Sequence, residues 1–444
     1  MRRLILAVVV AAAATVAAVL PQPEPAAEPL AGRIIDRPGL ESPDAAAIWY
    51  CPWAQATATR DSFIAVASLE ESTAAFTFPV TIPGEPADTA ELQTLAPGGA
   101  ALDLSTIAQR GDSPSFAEFT NGPSSVAVTV RGEVLAADTC VASGPDTWVF
   151  PGGSTLAGEE LTLRLFNPFP ETARVTVTAV SDIGAEALGE LRLVSVGSRS
   201  WRDVSFEELL RQRADLAVSV TVEDGLVVPA MVFRAGDDED WWSGTALSTV
   251  WEFPAAGLAD AETAIVVANP GPSEVQVSLL SYTEAGPEIE PTTFTVPPES
   301  PLRIPVEGAA EHRAVRLSSD APVAAAVVSV GEPGTAITSG LSTQARTWMV
   351  PGLRGAGLES GTLWILNSSE EPTTVTVSAL SGAGLVGERI TIDPGSQRRV
   401  DVDDPDAVGY LVQAADPITV SWSITGPGGR ALSVGAPVST ETTP

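Results

Sequence analysis

The sequence predicts an all-β protein of four tandem Ig-like β-sandwich domains of about 97 residues each, behind an N-terminal signal or anchor helix. Three observations carry that expectation. A Trp-x-x-Pro tetrad recurs at Trp49, Trp148, Trp251 and Trp348, at intervals of 99, 103 and 97 residues. An asparagine follows at a nearly fixed offset, at Asn167, Asn269 and Asn367, with Ser68 in the first copy. Around each lies an alternating apolar run, a polar turn and a second alternating run, the period-2 pattern of a hairpin.

The elements follow in order along each copy. Trp-x-x-Pro reads as the first strand. Residues two apart share a face, so Trp148 pairs with Phe150, Trp251 with Phe253, Trp348 with Val350 and Trp49 with Cys51. That face is apolar in every copy, which makes the four tryptophans core plugs. Proline three residues on removes a ladder donor, which suits an edge strand as it bends away. The asparagine hairpin comes next, then a strand around "VGSRSWRDV" and its equivalents, then a closing hairpin. "SFEELLRQR" from Ser205 is the one helical stretch, with Ser205 as its N-cap, and it reads as a connection between sheets. A β-propeller is the alternative, but its blades repeat every ~40–50 residues, and the unit shows no half-period. The boundaries read 1–32 for leader and Pro-rich linker, then sandwiches over 33–144, 145–244, 245–344 and 345–440.

At the N-terminus, Arg2 and Arg3 precede an apolar run from Leu4 to Leu20 that ends at "PQPEP". This is the order of an export signal. At ~1.5 Å per residue the run also approaches the length of a membrane span, so it is either cleaved or kept as a single-span anchor. Both outcomes place the protein outside the cytoplasm, secreted or held at the cytoplasmic membrane. An exported chain with two cysteines predicts one disulfide, Cys51 to Cys140. Cys51 takes the inward position of Phe150, and Cys140 falls near the last strand of the same copy. Closing about 90 residues is worth on the order of 4 kcal/mol by chain entropy.

The leader, the cysteine after the first tryptophan and the tandem W-x-x-P, L-x-N-P and P-G-S-x-R units resemble an uncharacterised family of secreted or membrane-anchored actinobacterial proteins. The resemblance covers residues 48 to 440 and implies a cell-envelope location. It carries no catalytic or binding residues with it.

The formal charge of −32 repels phosphate backbones and excludes nucleic acid as the natural partner. All 24 basic residues are arginine. The single histidine, His312, cannot build a multi-histidine zinc site, and no Gly-x-Ser-x-Gly turn presents a nucleophile to it. The sequence therefore reads as a non-catalytic, monomeric structural, scaffold or interaction module, whose partner is an envelope protein or a cell-wall glycan. Carbohydrate binding is the alternative. Trp241 and Trp242 either stack on sugar rings or pack between neighbouring domains, and packing is the favoured reading. Asp401, Asp403, Asp404 and Asp406 gather four carboxylates in six residues, and they make calcium the one cofactor to consider. Asn367 opens an N-x-S sequon, which its hairpin turn explains without modification.

Overall fold

The computed structural model describes residues 47–438, apart from 79–87, 90–92, 96–97, 105–110, 259–260, 288–289, 307–311, 333, 354–357, 359, 382–385, 403 and 405–406. The leader and the linker lie outside the described residues. Among those described, no helix is long and apolar enough to cross a membrane.

The chain is all-β, and each of its four units is built from two antiparallel layers, with a further two-stranded ribbon, Gln55–Ala56 with Gly111–Asp112, in unit 1. In unit 2, one sheet pairs Thr147–Gly153 with Leu216–Asp224 and Ala173–Ser181, while the other runs Ser200–Ser205, Glu159–Asn167, Val228–Ala235, Asp238–Ser243. Units 3 and 4 repeat this with one difference. A single long strand, Arg313–Gly331 or Gly409–Gly426, crosses from the first sheet to the second. A short α-helix, Phe206–Leu209, joins the two sheets of unit 2, and Ser205 makes no side-chain capping bond to it.

Each unit begins on its tryptophan strand: Ala47–Cys51, Thr147–Gly153, Ser248–Gly257 and Ala345–Pro351. All four tryptophans are buried. Trp251 Nε1 donates to Val323 O at 3.0 Å, and Trp348 Nε1 to Ile418 O at 3.1 Å. The residue after each tryptophan faces the other way and is buried too. Tyr50 packs on Phe169 of unit 2, with ring centroids 5.6 Å apart. Val149 lies among Ala268 and Ala324 of unit 3. The Glu252 carboxylate accepts bonds from Ser368 and Thr419 of unit 4. Met349 packs against Ala67 of unit 1. The first sheet of each unit therefore lies on the second sheet of the next, and unit 4 lies on unit 1.

That last contact closes a ring. The final strands of the four units, Ala136–Thr139, Asp238–Ser243, Gly334–Ser339 and Gly429–Val434, meet around a common axis, each touching the next and the fourth touching the first. Leu135 N donates to Gly428 O at 2.8 Å across the closure. The arrangement is propeller-like, with two-sheet units in place of single-sheet blades. The tandem units thus form a closed ring. The physical reason is the second buried face of each tryptophan strand, whose apolar side chains, or the Glu252 carboxylate in unit 3, need a neighbour to cover or bond them.

Candidate functional site: an axial pocket

Where each final strand turns towards the following tryptophan strand, the chain meets its own first strand one residue past the tryptophan. Val141 pairs with Tyr50, Thr245 with Val149 and Leu341 with Glu252, while Ala436 pairs with Met349. The residue before each of these turns is Cys140, Gly244, Gly340 or Gly435. Packing favours glycine there, most strongly at Gly244 and Gly340. A Cβ on Gly244 would come within 2.6 Å of the Phe150 ring, one on Gly340 within 2.6 Å of the Phe253 ring, and one on Gly435 within 3.2 Å of Val350. In unit 1 both partners are cysteines, and Cys51 and Cys140 form the disulfide. The bridge fills the space that an aromatic ring or valine over glycine fills elsewhere.

These four turns surround a pocket of about 350 Å³ to which every unit contributes. Its lining includes Trp49, Asp138 and Thr139 from unit 1, Ser243 and Thr245 from unit 2, Thr338 to Thr343 from unit 3 and Val434 to Pro437 from unit 4. Asp138 sits where three units join. Its carboxylate accepts from Ser243 N of unit 2 at 2.8 Å, from Ser433 Oγ of unit 4 and from its neighbour Thr139 N at 2.9 Å. Burial pushes its pKa up to about 6, against the pull of those donors. Burial also holds Asp240 well above the usual carboxylate range, helped by the charges of Asp138 and Glu239. Asp240 bridges to unit 3 by accepting from Ile337 N.

A second pocket of about 450 Å³ lies at the seam of units 3 and 4 and shares Leu341, Ser342 and Thr343 with the first. Its buried carboxylate is Glu252, which accepts from Gln344 Nε2 at 2.9 Å and has Arg316 Nη1 at 3.7 Å.

Trp241 and Trp242 are fully buried, so neither presents a face to a sugar. Trp241 packs on Trp53 across the seam of units 1 and 2, at 5.7 Å, and Trp242 fills the core of unit 2. Asp401 is engaged by Thr362 Oγ1 and Arg399 Nε, at 3.0 and 2.9 Å. Asp403 and Asp406 lie outside the described residues, and no group of three or more metal-ligating side chains occurs among the described ones. His312 packs on Trp364 with ring centroids 4.8 Å apart and planes tilted by 60°, and Arg399 Nη1 lies 3.0 Å from its Nε2, so it belongs to the seam of units 3 and 4. Asn167, Asn269 and Asn367 are buried and bonded alike. Each donates to the carbonyl four residues on, which is Glu171, Ser273 or Glu371, and accepts from the backbone two residues on. The Asn367 amide is thereby occupied inside its turn.

Sequence reasoning passed over Asp138 and Glu252. The signal for both was departure from the repeat. The position of Asp138 is Trp242, Thr338 and Ser433 in the other units by strand register. That of Glu252 is Tyr50, Val149 and Met349.

Fold and site together define a closed ring of four two-sheet units with one pocket on its axis. A family model matches the chain twice, over residues 120–336 and 243–432, as an internally repeated chain allows. The chain belongs to that family, DUF5719, a family of unknown function. No curated protein gives a significant match.

Proposed function

We propose that the protein is a non-catalytic scaffold or interaction module of the cell envelope, and that its axial pocket is where it binds. The axial pocket carries the reading. It is built jointly by four units, and its lining is backbone, hydroxyls and small apolar groups around one carboxylate, a composition suited to holding a group in place. The disulfide supports an oxidising compartment, and the leader supports export. On this reading the units are Ig-like sandwiches that a ring has made interdependent. Glycan recognition through Trp241 and Trp242 drops out, because both indoles are inside. Melting the protein in fractionated envelope extracts tests the proposal. A fraction that raises the melting temperature of the wild type, and leaves that of a rim variant such as Ser143→Arg unchanged, is the expected result. Equal shifts for both proteins, or no shift in any fraction, would overturn it.

A further inference from the structure

We infer that the axial pocket holds the ammonium group of a small organic amine, with Asp138 as its counter-ion. The inference rests on the axial pocket being the binding site and names what it binds.

The repeat supplies an internal control. Trp242, Thr338 and Ser433 occupy the register position of Asp138, so the strand and the ring are built three times without a charge there. Among the described residues, Asp138 is also the only ionisable group in the pocket lining, since Cys140 is in the disulfide. Three other seam carboxylates are matched with arginine, while Asp240 lies away from the pocket lining and bonds the Ile337 amide instead. Glu239 has Arg60 and Arg234, Glu252 has Arg316, and Asp215 has Arg303. The hydrogen bonds to Asp138 come from two backbone amides and a serine hydroxyl, all neutral. A buried carboxylate without a cation is costly, and an ammonium ion relieves that cost.

The rest of the lining fits the same group. Trp49 lines the pocket, and an indole attracts an ammonium through its ring quadrupole. The hydroxyls of Ser243 and Thr338 can accept from its N–H groups. A volume of about 350 Å³ lies at the small end of ligand sites, which suits a short amine. The charge of −32 concentrates cations at the surface from which the ligand enters.

Calorimetric titration of the full chain with n-butylamine and n-butanol, at near-physiological ionic strength, tests this directly. The amine should bind about tenfold or more tighter than the alcohol. Asp138→Asn should remove that difference. Ser143→Arg, at an exposed rim position of the same pocket, should abolish amine binding without changing the melting temperature, which keeps the test open if Asp138→Asn does not fold. Amine binding that is unaltered in both variants would be diffuse attraction to an acidic surface and would overturn the proposal. Equal binding of amine and alcohol, both lost in Ser143→Arg, would overturn the ammonium while leaving the pocket as a binding site. Failure of both probes to bind would remove both readings.

Discussion

Single residues in this ring are explained by what stands at the same place in the other three units. Gly340 sits under Phe253 as Gly244 sits under Phe150, and Gly340→Ala would press a methyl group into the ring. We expect a loss of about 1–3 kcal/mol by denaturant unfolding. Reducing the disulfide should cost on the order of 4 kcal/mol, because it releases a loop of 89 residues. The cysteine pairing was legible in the sequence, since Cys51 falls in register with Phe150. The ring-over-glycine pairs were not, because a glycine after a strand reads equally well as a turn. Asp138 gives a pH dependence whose sign can be worked out. Its folded pKa, about 6, lies above the unfolded value near 3.8, so the fold prefers the protonated form. Its contribution is therefore most favourable below pH ~4 and is lost as pH rises to ~6, by about 3 kcal/mol. Asp240, whose pKa is also raised by burial, acts in the same direction. The melting temperature should rise on acidification from pH 7 to 5, and by less in Asp138→Asn. An identical rise in both proteins would assign the effect to the acidic surface alone.

At the scale of elements, the tryptophan strand has two buried faces and therefore two jobs. Trp251 and Phe253 fill the core of unit 3, while Glu252 between them reaches into unit 4. The alternation read from sequence placed the first face correctly. It said nothing of the second, because period-2 patterning separates two faces without saying what covers either of them. Val149→Asp tests the second face on its own. The substitution puts an unpaired charge among Ala217, Ala268 and Ala324 while leaving Trp148 and Phe150 in place. It should cost about 3 kcal/mol or more, whereas a solvent-facing position would tolerate it. Trp251→Ala tests the first face, with an expected loss of about 3–5 kcal/mol. In a ring whose units share their interfaces, that loss should lower one common calorimetric transition. Separate transitions, one moved and the others unmoved, would restore the picture of independent domains.

At the scale of the whole molecule, closure of unit 4 on unit 1 decides the architecture. Trp422 Nε1 donates to Thr139 Oγ1 at 3.2 Å, and Thr139 Oγ1 to Val434 O at 2.6 Å, joining positions almost 300 residues apart in the sequence. The fourfold repeat was legible, because it is written in local periodicity. Closure was not, since no local pattern states which sheet meets which. The axial pocket exists only because the ring closes, so the proposed function depends on closure as well. Small-angle scattering of the protein in solution measures it most directly. A compact ring of this length has a radius of gyration of about 21 Å, whereas four domains of about 13 Å radius of gyration strung in a row exceed about 30 Å. A value near the first is the result this structure predicts, and a value near the second would contradict it.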